Sequence, residues 1–292
     1  MRRAAPSQAG LAWLLLGPSL LGLALFCYGP IVQVVWRSLQ VRRFGRPAEV
    51  SLANYQALFD DDRFWRALEN TALYAAGTIG PSLMLALLFA LAVQEAGWLS
   101  SAIRTLLVLP MMVPLVAAAA LFTFIFLPGA GLIDHYLYPL GVGGANWLGD
   151  PALALPSIIA ITIWKNTGYY MLFFLAGLAA VPEEQIDAAR IEGANAAQRL
   201  RHVILPLLGP TIGFVTVIAL INVLVQVDHV LVMTGGGPAD ATNLLLAYIY
   251  QTAQQNLDIG RASAATVVSV AGLFALATIS LRTLERGVHY ES

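Results

Sequence analysis

The chain has 292 residues, of which 58% are hydrophobic and only 11% charged, with a net charge of −1. Soluble domains run near 45–50% apolar and about 25% charged, so this composition belongs to an integral membrane protein. The near-neutral charge, with no basic patch, excludes a nucleic-acid partner, and the single cysteine, Cys27, excludes an intramolecular disulfide or a Cys-based metal site.

A helix needs about 20 apolar residues to cross a bilayer core. Six segments meet this length: 11–36, 70–94, 105–127, 153–178, 205–227 and 262–282. The expectation is an all-α protein with one transmembrane domain over residues 1–292. The first segment follows Arg2 and Arg3 in the charge order of a signal peptide. Its apolar run of about 26 residues is too long for the usual h-region, so it reads as a retained span. The loop after span three, LPGAGLIDHYLYPLGVGGANWLGDP, is rich in glycine and carries Trp147 and tyrosines. That suits a short re-entrant or interfacial segment. Span four has the only lysine, Lys165, in its middle. After span five, MTGGGPADATNLLLAYIYQTAQQNLDIGR gives a Gly-Gly-Gly-Pro turn near the outer surface and then a short amphipathic helix.

The most unusual segment lies between spans four and five: EEQIDAARIEGANAAQRLRHVILP, residues 183–206. Pro182 suits a first helical position, and Glu183 and Glu184 suit the positive end of a helix. Ala189, Gly193 and Ala197 recur every four residues and would line one helix side with little bulk, open to close approach by a partner. Gly193, which weakens a helix by about 1 kcal/mol relative to alanine, would mark a bend between two short helices. Ile186, Leu200 and Val203 would face the membrane, and Pro206 would open span five. A helix resting on lipid headgroups is the other reading. The acidic start and the lack of a Trp, Phe or Leu wedge favour docking to a protein.

Polar groups at membrane depth are costly and usually face a cavity or another helix. Span four carries TIWKNTGYY, residues 162–170, and span five carries Asn222 and Gln226 one turn apart, continued by His229. Aromatic rings beside amides and hydroxyls form the surface a sugar requires. The same residues could equally join helices by hydrogen bonds. For Lys165 there are two readings, an ion pair with Asp228 or a counter-charge for a substrate phosphate. No G-x-x-x-x-G-K precedes this lysine and the histidines are scattered, so nucleotide chemistry would sit on a partner and no catalytic residues are expected here. With both termini inside, eight arginines fall on the inner side and seven on the outer, six of the seven in the first loop. Charge alone therefore leaves the orientation open.

DAARIEGANAAQRLRHVILP resembles the EAA loop of binding-protein-dependent ABC importer permeases. Asp187-Ala188-Ala189, Gly193, Val203, Leu205 and Pro206 fall at the family spacing, with Asp for Glu and Val for Ile. Residues 52–74 and 230–268 are similar to matching blocks in the carbohydrate branch, the permeases for maltose-type sugars, trehalose and glycerol 3-phosphate. The likeness runs from about residue 13 to 282. It implies the type I permease architecture with cytoplasmic termini, in the cytoplasmic (inner) membrane of a bacterium or archaeon. It also implies a coupling loop over 180–204 that docks on an ATPase subunit, with Glu184, Asp187, Ala188, Ala189, Gly193, Leu205 and Pro206 as coupling residues. The implied partners are a second, homologous permease, two ATPase subunits carrying ATP-Mg, and an extracytoplasmic solute-binding protein; this chain would hold no cofactor. By the same resemblance, Trp164, Lys165, Asn166, Tyr169, Asn222 and Gln226 are the candidate contacts for a sugar or sugar-like solute. The alternatives are an importer of a non-carbohydrate solute and an ion-coupled secondary transporter. The latter needs an intramembrane carboxylate relay, and Asp228 has no partner acid.

Overall fold

The computed structural model describes residues 8–41, 49–95, 97–141 and 144–285. Arg2, Arg3, Arg42, Arg43, Arg46 and Arg286 of the charge count lie outside them. In chain order the elements are α1 (Gln8–Leu23), α2 (Gly29–Ser38), β1 (Gln40–Val41), β2 (Glu49–Val50), α3 (Ala53–Phe59), α4 (Asp62–Val93), α5 (Trp98–Met112), α6 (Leu115–Ile125) and α7 (Leu132–Leu137). There follow α8 (Pro151–Ala179), α9 (Glu183–Ile191), α10 (Ala196–Arg199), α11 (Leu205–Leu207), α12 (Gly209–Val225), α13 (Asp228–Met233), α14 (Leu245–Gln254) and α15 (Ile259–Glu285). The described residues form two compact units, one of those up to Asp61 with Ile249–Ala271, the other of those from Asp62 to Tyr248 with those from Gly272 onward.

Five stretches among the described residues are long and apolar enough to cross a membrane: Ala12–Ser38, Asp62–Val93, Pro151–Ala179, Gly209–Met233 and Ile259–Leu276. They correspond to the first, second, fourth, fifth and sixth predicted spans. The third differs. Instead of one helix over 105–127 there are α5 and α6, meeting at 97°. The cause is local: Val113 is extended (φ −73°, ψ 128°) and Pro114 caps α6. A residue before proline is pushed out of the α region by the proline ring, so the helix ends there although the apolar run continues.

Proline also shapes two other helices. A π turn over Ala24–Tyr28 precedes Pro30, and one over Leu200–Ile204 precedes Pro206. In each, the residue before proline donates its amide five residues back, Gly29 to the Ala24 carbonyl and Leu205 to the Leu200 carbonyl. Proline has no amide to donate and crowds the carbonyl four residues back, and the wider turn accommodates both effects.

In the first unit, β1 pairs antiparallel with β2, Gln40 opposite Val50. Buried Asn54 of α3 donates through Nδ2 to the carbonyls of Ser38 and Gln40, both at 2.9 Å, and so pins the end of α2 to α3.

The second unit is organised around α8, which lies along α4 and also meets α5 and α12. The α4 residues Ala67, Thr71, Tyr74, Thr78, Ser82, Ala86 and Ala90 recur every three or four positions and are all buried. That periodicity is one face of a helix, and its small residues admit close helix packing. Tyr170, Met171 and Phe174 of α8 pack with Ala86, Ala90, Val215 and Ala219 in one apolar cluster.

The glycine-rich loop after α6 is tied by one acid. Buried Asp134 of α7 accepts hydrogen bonds from the amides of Gly129 (2.5 Å) and Gly144 (3.1 Å) and from Trp147 Nε1 (3.2 Å). The Gly129 amide is the main influence holding the Asp134 carboxyl below its usual range. The indole and the Gly144 amide add to it, against burial, which pushes the value up. A depressed carboxyl contributes stability that is complete above the unfolded value of 3.8 and disappears as pH falls through the lower folded value. Hydrogen exchange over 129–148, corrected for intrinsic rates, should therefore accelerate below about pH 4 in the native chain. In Asp134→Asn it should be fast at neutral pH and nearly flat with pH; a pH-independent native profile contradicts this role.

Candidate functional site

Two groups of residues were expected to carry function, and both lie in the second unit. On α8, Asn166 donates through Nδ2 to Gln226 Oε1 at 3.2 Å, just beyond α12. Asn222 on α12 donates through Nδ2 to the Tyr170 hydroxyl at 3.2 Å. Two side-chain hydrogen bonds thus join these helices within the membrane-spanning stretch, and three of the candidate solute contacts, Asn166, Asn222 and Gln226, take part. Tyr169 packs edge-on against Phe173, ring centroids 5.0 Å apart. Trp164 is 39% exposed and packs edge-on against Phe122 of α6 at 5.0 Å. The exposed indole and the half-buried Asn222 and Gln226 leave polar and aromatic surface open at this level.

Lys165 sits apart from the amides. Its ammonium donates to the carbonyls of Pro110 (3.2 Å), Met111 (3.3 Å) and Val113 (2.6 Å), where α5 ends. The expected pair with Asp228 is not formed: Asp228 opens α13 and is exposed. The physical reason is competition. Carbonyls at the C-terminal end of a helix carry partial negative charge and attract a cation. Those of α5 stand within reach of α8, the Pro110 carbonyl accepting from Lys165 as well as from the Val113 amide.

Three residues outside the candidate solute contacts, of which Thr162 and His229 stand in the polar stretches read from the sequence and Tyr74 was left aside, form a buried cluster. The Tyr74 hydroxyl is 2.8 Å from Thr162 Oγ1 and 3.1 Å from His229 Nε2, and Thr162 Oγ1 is 3.2 Å from His229 Nε2. This ties α4, α8 and α13 through side chains that are all buried. The signal was present: Thr71, Tyr74, Thr78 and Ser82 form a polar stripe at helical spacing in an otherwise apolar span. A cavity of about 600 Å³ in the first unit, lined by Arg37, Asn54, Asp258 and Arg261 among others, includes none of the candidate residues.

The second group is the 183–206 segment. Helix α9 starts at Glu183, and Pro182 is its extended N-cap (φ −63°, ψ 125°), not its first helical residue. Glu184, Asp187 and Ala188 are exposed and Ala189 is half-buried. Ile191, at the end of α9, is 87% exposed. Gly193 has φ +84° and ends α9 as the expected bend, a conformation that suits glycine. Ala189, Gly193 and Ala197 therefore do not line one helix, because the left-handed turn at Gly193 separates α9 from α10. A capping box opens α10: Gln198 N donates to Asn195 Oδ1 at 2.9 Å and Asn195 N donates to Gln198 Oε1 at 2.8 Å. Leu205 and Pro206 lie in the short α11 after the π turn, and the long helix of span five begins only at Gly209. Leu208, between them, is fully buried. A Cβ on Gly177 of α8 would stand 2.6 Å from Thr211 Oγ1 and 2.9 Å from Leu208 Cδ2, so α8 and α12 nearly touch beside this segment.

Residues 82–290 match the family of the binding-protein-dependent transport system inner membrane component. The sn-glycerol-3-phosphate transport system permease protein of Yersinia enterocolitica is 34% identical over 98% of this chain and 97% of its own. The sulfoquinovosyl glycerol transport system permease protein of Agrobacterium fabrum is 33% identical over 94% of this chain and 90% of its own. In fold, the chain is similar to a subunit of a bacterial ABC transporter involved in the import of the acidic polysaccharide alginate, with a TM-score of 0.83, 22% identity, and coverage of 94% of this chain and 95% of that one. Bearing the helical order, the acid-headed α9 and the left-handed glycine after it, the chain belongs to the inner-membrane permease subunits of binding-protein-dependent ABC importers.

Proposed function

We propose that this permease carries a sugar or sugar-like solute, of the oligosaccharide, disaccharide or glycerol 3-phosphate class, paired with a second permease and powered by two ATPase subunits that bind ATP-Mg. The termini and the 183–206 segment face the cytoplasm, and an extracytoplasmic binding protein delivers the solute. The observation that carries the coupling half of this reading is α9. None of its residues is fully buried, its start is acidic, and its shape is closed by Gly193 and the Asn195–Gln198 box. Closure of the ATPase dimer would move α9 and α10, and the contact of Gly177 with Leu208 and Thr211 would pass that motion to α8 and α12. Those two helices carry Trp164, Asn166, Tyr169 and Asn222, with Gln226 directly after α12, so one displacement would alter the solute contacts.

The solute class rests on two supports. Rings beside amides and hydroxyls suit a hydroxyl-rich ligand, and the named relatives serve two glycerol derivatives. The test is thermal stabilisation of the cognate binding protein across sugars, polyols, phosphodiesters and amino acids. A midpoint raised by a sugar, a polyol or a glycerol phosphate is expected. A rise with an amino acid alone removes the carbohydrate reading and leaves the importer intact. Uptake by this chain reconstituted by itself removes the importer reading.

A further inference from the structure

The chain's one lysine is used in an unexpected place. An ammonium has three N–H donors, and around Lys165 Nζ the carbonyls of Pro110, Met111 and Val113 accept at 3.2, 3.3 and 2.6 Å. The side chain is buried, with Lys165 only 8% exposed. A helix that stops inside a membrane leaves last carbonyls that no longer accept from a following helical turn and carry partial negative charge; here the Pro110 carbonyl has a further backbone donor, the Val113 amide at 3.3 Å. Where transporters break a span, such carbonyl ends can coordinate a bound monovalent cation. Here the cation is attached to the neighbouring helix.

Two nearby residues suggest what the attachment does. Trp164, one residue earlier on α8, packs edge-on against Phe122 of α6 with centroids 5.0 Å apart. Consecutive side chains of α8 therefore grip both arms of the 97° bend, Lys165 the end of α5 and Trp164 the flank of α6. Gly168, close to one turn on, brings the two backbones together: a Cβ there would lie 1.8 Å from the Leu107 carbonyl oxygen.

We propose that Lys165 is a tethered counter-ion for the broken third span, a positioning residue that fixes the angle between α5 and α6. All three donors are spent on carbonyls, so none is left for an anionic group of the solute. The role holds whatever solute the importer carries, and its test does not depend on uptake.

The experiment uses the assembled importer in detergent, with ethylammonium chloride as the untethered cation and tetramethylammonium chloride, which has no N–H donor, as its control. Lys165→Ala should lower the thermal midpoint by about 5 °C, and ethylammonium should restore at least half of the loss while tetramethylammonium restores none. An unchanged midpoint, recovery with neither salt, or equal recovery with both overturns the proposal. So does a midpoint raised by sn-glycerol 3-phosphate in the native complex and not in Lys165→Met, which would mark the ammonium as an anion contact. If Lys165→Ala does not assemble, spin labels at Ser101 on α5 and Leu121 on α6 decide. Their distance distribution should broaden in Lys165→Met and hold in Lys165→Arg; no change in either variant refutes the role.

Discussion

Replacing Gly168 with alanine should be the most damaging single-methyl change in the second unit. The added carbon would lie 1.8 Å from the Leu107 carbonyl oxygen, 2.6 Å from its carbonyl carbon and 3.1 Å from Val108 Cα. All three are backbone atoms, so no rotamer change relieves the overlap, and α5 itself must retreat. Overpacking of this kind costs on the order of 3 kcal/mol. The retreat also draws the Pro110, Met111 and Val113 carbonyls away from Lys165. Gly168→Ala and Lys165→Met should therefore be strongly non-additive, the double variant unfolding at a midpoint close to that of the worse single one. Denaturation of the four members of the cycle measures this. Additive losses would show that the glycine and the lysine act separately.

Substitution of Gly193 should separate backbone shape from side-chain size. No atom lies within 4 Å of where its Cβ would be, so a side chain has room, yet φ is +84°. A β-branched residue is strained there by about 1–2 kcal/mol, whereas asparagine tolerates the left-handed region. Gly193→Val should cut ATP-driven uptake by at least about tenfold, and Gly193→Asn should retain most of it. Solute binding to the separate receptor should be unchanged in both. Equal uptake by Gly193→Val and the native chain would refute the coupling role of this turn.

The long helices were legible in the sequence because crossing a bilayer demands an apolar run, and the run is visible whatever packs against it. The α9 start and the Gly193 bend were legible for a similar reason: clustered acids and a lone glycine act locally. The break at Val113 was not, although Pro110 and Pro114 mark it, because hydropathy is continuous from 105 to 127 and proline is tolerated in many membrane helices. The Pro182 error was one of a single position, which helix ends commonly allow. The partners of Lys165 were beyond reach, since backbone carbonyls more than fifty positions away leave no mark on composition or period. Tyr74 and His229 stood between these cases. The stripe containing Tyr74 could be read from its spacing, but its meeting with Thr162 and His229 depends on which faces of three helices converge.

The Asn195–Gln198 box has a further consequence for assembly. Its two bonds are made within one turn of chain, and the ion pair Arg190–Asp187 at 3.3 Å and the bond from Arg199 to the Ala194 carbonyl at 2.7 Å are equally local. On the proposed docking to an ATPase subunit, the segment would thus arrive with its shape set by local bonds. A recognition element that arrives already ordered surrenders little conformational entropy on association, so a small contact area can suffice. If the segment is the proposed coupling joint, such pre-shaping would also let it separate and re-form in each turnover without unfolding.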